Sequence, residues 1–174
     1  MMSGIRKTSI DPKERMKNST SRILTKNITK TDMAKFKYFE LAEFIKSETA
    51  TKKKIDNTPT FEIVDHLSEL VSSILDPLRA AYGKPIHVSS GYRCKKLNEA
   101  VGGVNTSAHQ RGDAADLQAA NMSDFKAFVK DWLIRNRIRF DQCLLETSGR
   151  AEWVHISIYS ANGLQRGQIK LMNV

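Results

Sequence analysis

The sequence predicts an α+β domain: a small, largely antiparallel sheet packed against helices. Two long stretches carry apolar residues at three- and four-residue steps, the pattern of helices with one buried face. Short β-branched runs lie between and after them, separated by brief polar turns. Interspersed strands and helices of this kind suggest α+β architecture. At 174 residues the chain is long enough to bury one core without disulfide staples.

Charge divides the chain. Residues 1–37 hold ten Lys or Arg against three acids, so +7 of the net +9 lies there. They read as a basic, flexible N-terminal arm, and residues 38–174 as a nearly neutral globular domain. No apolar run is long enough to span a bilayer, and no charged-then-apolar leader of secretory type is seen. Cys94 and Cys143 sit in no Cys-x-x-Cys pair, so free, mostly buried thiols are expected.

The domain opens with a short helix over Tyr38–Ser47, with Phe39, Leu41, Phe44 and Ile45 for the core. Lys52-Lys53-Lys54 reads as a solvated loop. Asn57-Thr58-Pro59-Thr60 supplies helix-start residues before a stripe of Phe61, Val64, Leu67, Val71, Ile74, Leu75 and Leu78. Pro77 is expected to kink the last turn of that helix. His66 reads as a surface or half-packed residue beside the stripe, and His87 as a strand histidine. Strands are expected at Ile86–Ser90, Ala114–Leu117, Asp141–Glu146 and Trp153–Tyr159. A short helix follows Arg93, and a second long helix opens at Met122 with Ser123 as cap and Phe125, Phe128, Val129, Trp132 and Leu133 inward.

The chemistry concentrates in Ser107-Ala108-His109-Gln110-Arg111-Gly112-Asp113-Ala114-Ala115-Asp116 and in Glu152-Trp153-Val154-His155. His109, Asp116 and His155 are ligand types that bind zinc while leaving one position for water. A strand–turn–strand path through Gly112 would aim His109 and Asp116 at one point. Glu152 is the candidate general base, with Glu146 and then Asp113 behind it. Residues three apart on a strand face opposite ways, so Glu152 serves only if the strand starts after it or bulges.

The pattern Ser-x-His-x-x-Gly-x-Ala-x-Asp followed by Glu-x-x-His resembles the zinc D-Ala-D-Ala peptidases, peptidase family M15, over about Tyr38 to Ile158. That family includes D-alanyl-D-alanine carboxypeptidases, dipeptidases and bacteriophage endolysins. The resemblance implies a Hedgehog-like DD-peptidase fold and one Zn2+ per chain on the sheet, held by His109, Asp116 and His155. It puts the catalytic acid at Glu152. Ser-Gly-Tyr-Arg resembles the family segment whose arginine reaches substrate, so Arg93 would hold a carboxylate or an oxyanion. Ser107, Tyr92 and Trp153 would contact substrate, and Gln142 and Ser157 would orient ligands.

The function expected is hydrolysis of a peptide bond in peptidoglycan stem peptides, beside a D-alanine, by a D,D-carboxypeptidase or an endolysin-type endopeptidase. No Ser-x-x-Lys or Gly-x-Ser-x-Gly motif supports a serine nucleophile. A monomer, made in the cytoplasm and reaching the wall by phage lysis or other export, is expected. The alternative is a non-catalytic wall-binding or virion structural module that keeps the fold. A nucleic-acid partner is not expected, because the basic charge is confined to the arm.

Overall fold

The computed structural model describes residues 36–174, and the expectation of a flexible arm falls, but for its last two residues, outside them. Helix α1 (Leu41–Ile45) buries Leu41 and Phe44, and α2 (Glu48–Lys53) follows at once. The Lys52–Lys54 stretch is thus not a plain loop. Ser47 caps α2 by accepting from the Ala50 amide, and Lys52 and Lys53 complement the negative end of its dipole.

Thr60 caps α3 (Phe61–Leu70), which runs into a π-helical stretch (Val71–Leu75) and then α4 (Asp76–Tyr82). The expected kink is a widened turn placed before Pro77. Pro77 cannot donate to the carbonyl four residues back and its ring would press on it. The Asp76 amide instead reaches the Val71 carbonyl. Val64, Leu67, Leu70, Val71, Ile74, Leu75 and Leu78 are buried as the spacing requires. Phe61, counted in that stripe, is exposed.

Strands β1 (His87–Ser90), β2 (Ala114–Gln118), β3 (Gln142–Ser148), β4 (Ala151–Ser157) and β5 (Gln168–Asn173) form one sheet in the order β1-β2-β4-β3-β5. Three of its pairings are antiparallel and the β3–β5 pairing is parallel, so the sheet is mixed. Helix α5 (Lys95–Ala100) follows β1, and α6 (Met122–Arg135) lies between β2 and β3. Asn121, not Ser123, caps α6 by accepting from the Asp124 amide.

Side-chain alternation gives the sheet two unlike faces. Val88, Leu117, Val154, Ile156, Cys143 and Leu145 are buried on the core side. Register puts Val88 opposite Leu117, Leu117 opposite Val154, and Val154 opposite Leu145. Full burial of a side chain such as Ile156 contributes about 1.5–3 kcal/mol, so the register is held by what it puts inside. Both cysteines are free thiols, and burial pushes the Cys143 thiol up to about 12. The other face carries Asp116, His155, Leu144 and Glu146. Among the described residues no helix is long and apolar enough to cross a membrane.

Candidate metal centre

His109 lies on a 3-10 turn (Ala108–Arg111), not on a strand. Gly112 then reverses the chain at φ 77°, where a side chain would be strained and its Cβ would meet the Ile63 carbonyl at 2.8 Å. Asp113 pins this turn to α3. Its carboxylate lies 2.8 Å from His66 Nδ1 and accepts from Arg111 Nε at 2.7 Å. Strand β2 carries Asp116 out of the turn to sit directly opposite His155 on β4.

Glycine also shapes the far side. The Tyr92 amide donates to the Phe44 carbonyl at 2.7 Å, and a Cβ on Gly91 would collide with the Phe44 backbone. The Gly91 carbonyl is then 2.7 Å from His109 Nδ1. A carbonyl can only accept, so Nδ1 carries the proton and Nε2 offers its lone pair to the cluster.

His109 Nε2, His155 Nδ1 and Asp116 Oδ1 form a small triangle. Its edges are 3.2 Å between the imidazoles, 3.3 Å from His109 to Asp116, and 2.8 Å from His155 to Asp116. Ligands about 2.0–2.1 Å from a tetrahedral zinc lie about 3.3 Å from one another, so these three donors suit one face of such a site. The electrostatics favour the ligating forms. Burial keeps His109 neutral by lowering its pKa, against the attraction of Asp116. Burial also works to raise Asp116, but His109 and His155, when they carry a proton toward it, hold it well below the ordinary carboxylate range.

The triangle opens into a cleft of about 880 Å3. Glu146 and Trp153 pair across β3 and β4, both line the cleft, and Trp153 Nε1 donates to Glu146 Oε2 at 2.6 Å. Burial raises the Glu146 carboxyl above its usual range, while His155, the indole donor and Arg93 oppose that rise. Arg93 stands on the β1 side, its NH1 3.3 Å from Ser90 Oγ and 4.0 Å from Asp116 Oδ2. Its Nε is buried without a hydrogen-bond partner among the described residues. Ser107 lines the cleft at the start of the 3-10 turn.

Two sequence-predicted site residues, Glu152 and Tyr92, stand elsewhere. Glu152 is not brought to the cluster. Strand β4 begins at Ala151 and pairs with β3 without a bulge, so Glu152, three residues before His155, faces the other way. Its carboxylate meets Lys126 of α6 at 2.8 Å. Tyr92 is buried beside a neighbouring depression with Glu43 and Lys46, outside the metal cleft. His87, likewise, lies outside that cleft. Gln142 and Ser157 bond to each other's strand and to Gln168, and to none of the three ligand candidates.

Sequence reasoning missed Arg166 and Asp141 on the cleft wall; their pairing across 25 residues leaves no local signal. No curated protein matches the chain. A sequence model of the family described as peptidase M15 matches residues 37–157, a span that contains His109, Asp116, Glu146 and His155. With most of its length matched, and with a two-histidine, one-aspartate cluster at the floor of its cleft, the chain belongs to the peptidase M15 family.

Proposed function

We propose that the protein is a zinc-dependent peptidase that hydrolyses a bond of peptidoglycan stem peptides beside a D-alanine, with the metal seated on the open face of the sheet. One observation carries this reading: the donor triangle of His109, Asp116 and His155, with edges of 2.8–3.3 Å, opens into a peptide-sized cleft beside a carboxyl group. Zinc, when bound, supplies Lewis-acid activation of water near neutral pH.

The remaining chemistry belongs to side chains. Glu146 is the general base, in place of Glu152, because it shares the cleft with the triangle and its carboxyl is raised by burial. It accepts the proton of the attacking water at a carboxylate oxygen and returns it to the leaving amine. Trp153 fixes the carboxylate through its indole N–H. Arg93, held beside Asp116 on the cleft lining, supports negative charge developing on the scissile carbonyl oxygen. Ser107 is placed to hydrogen-bond the substrate backbone.

The test is mass spectrometry of purified muropeptides, monomeric and cross-linked, incubated with zinc-loaded protein and with its Glu146→Gln variant. Loss of a terminal D-alanine from monomers defines a carboxypeptidase. Conversion of cross-linked dimers defines an endopeptidase. No product from either, with zinc bound, would overturn the enzyme reading in favour of a wall-binding module.

A further inference from the structure

The cleft holds a second fixed guanidinium that hydrolysis does not need. Arg166 sits in the connection between β4 and β5 and lines the cleft. Its Nε donates to Asp141 Oδ1 at 2.5 Å and its NH2 to Asp141 Oδ2 at 2.8 Å. The two partners are exposed very unequally, the Asp141 side chain 3% and the Arg166 side chain 40%. The carboxylate is therefore a buried anchor and the guanidinium an open head. NH1 has no hydrogen-bond partner among the described residues, so the fork keeps donors for a ligand.

The anchor is rigid. The Asp141 amide donates to the Ser157 carbonyl, and the Gln168 amide donates to the Asp141 carbonyl, so both flanking strands fix its backbone. Register also sets its place. Leu144 is opposite His155 and Gln142 is opposite Ser157. At about 3.3 Å per residue, Asp141 lies roughly 7–10 Å along the strands from the metal cluster. Arg93 stands beyond Asp116 on the β1 side, so the cluster lies between two held guanidinium groups.

A staple that merely tied the connection to β3 would leave the cation indifferent to what enters the cleft. Here one edge of the fork is bonded to Asp141, and the half-open side chain keeps donors that make no hydrogen bond among the described residues. Arg111 is paired with Asp113, so the lining acids Asp116, Asp141 and Glu146 exceed Arg93 and Arg166 by one charge, which a bound divalent cation would turn positive. Such a cleft selects an anionic peptide.

Resting on the peptidase reading, we propose that Arg166, held by Asp141, is a specificity residue that binds a free carboxylate of the substrate peptide about two to three residues from the scissile bond. A stem peptide offers two sources of that chemistry, an internal side carboxylate and, where the cut lies two or more residues from the end, the C-terminal one. Either would make a charge-assisted pair with the guanidinium.

The experiment uses the full zinc-loaded chain carrying Glu146→Gln, which slows turnover so that binding can be read by calorimetry. The probes are three forms of a synthetic stem pentapeptide ending in D-Ala-D-Ala: both carboxylates free, the internal D-Glu carboxylate amidated, and the C-terminus amidated. One amidation is expected to weaken binding about tenfold, the size of a lost charge-assisted hydrogen bond, and it names the source. Adding Arg166→Gln should weaken the free peptide about tenfold and abolish the response to that same amidation. Asp141→Asn with Arg166→Gln, which leaves no buried unpaired charge, should behave alike and retain its thermal transition.

Discrimination that survives both Arg166 variants, or that is absent from the parent, overturns the proposal. Hydrolysis by the Glu146-bearing chain, measured in parallel, separates it from the reading beneath it. Turnover without discrimination at Arg166 removes the subsite and leaves the peptidase. Discrimination without turnover does the reverse, and neither binding nor turnover removes both.

Discussion

Glu146 and Glu152 lie on the same β-hairpin, six residues apart, and meet opposite surroundings. The first is opposite Trp153 on the cleft face, its carboxyl raised by burial and sharing the cleft lining with His155, Asp116 and Arg93. The second is opposite Thr147 on the core face, its carboxylate on Lys126 of α6 and 42% exposed. Lys126 also donates to the Glu146 carbonyl and to Thr147 Oγ1, so that face serves to dock a helix. Two like side chains differ in surroundings because strand parity, not proximity in sequence, decides which one shares the cleft with the candidate ligands.

Removing the donors is the most severe way to break this contrast. His155→Ala or Asp116→Ala should take zinc from about one per chain to near none, read by atomic emission on dialysed protein, with activity lost alongside. The paired glutamates sharpen it next. Glu146→Gln should lower kcat about 10²–10⁴-fold with zinc retained, the range for a lost general acid–base group. Glu152→Gln should leave kcat within about threefold and cost about 0.5–1 kcal/mol in denaturant unfolding, as a partly exposed ion pair does. Equal losses in the two variants would sink the assignment to Glu146.

Gly91→Ala attacks the cleft face from beneath. The new Cβ collides with the Phe44 backbone and displaces the carbonyl that orients His109. A loss of about 1–3 kcal/mol in stability is expected. Zinc affinity should fall roughly 10–100-fold, the usual penalty when a ligand's orienting partner moves, read by chelator competition. Unchanged affinity would show that the Gly91 carbonyl is dispensable.

The smallest effect is that of pH on the metal-free protein. Burial lowers the His109 pKa from 6.5, so the folded state binds fewer protons there than the unfolded chain. That stability is present above about 6.5 and is lost as pH falls below it. Asp116, also lowered, adds a further loss once pH falls below 3.8. Thermal midpoints of the apo protein should decline on acidification from pH 7 to 5, and the decline should flatten in His109→Gln.

The donors of the cluster were legible because their identities and spacing carry the chemistry. His109, Asp116 and His155 need no tertiary knowledge to be singled out, and Gly112 marks the turn between the first two. The base was not. A Glu three residues before a His reads as one motif, yet on an unbulged strand the two face opposite ways. Helix period was equally plain over Val64–Leu78, whereas Phe61, one turn before Val64, falls off the buried arc and stays exposed. Strand β5 left little local trace. It is an edge strand, Leu171 is 82% exposed, and its parallel pairing with β3 is made across more than twenty residues. The His66–Asp113 contact spans 47 residues and is invisible to any periodicity.

The family match stops at residue 157, the last residue of β4, while the wall that holds Tyr159, Leu164 and Arg166 begins immediately after. The candidate ligands and part of the facing wall are therefore consecutive along the chain, meeting where β4 ends. Exchange of residues 158–167 together with position 141 between M15 peptidases should transfer substrate preference while turnover stays with the recipient.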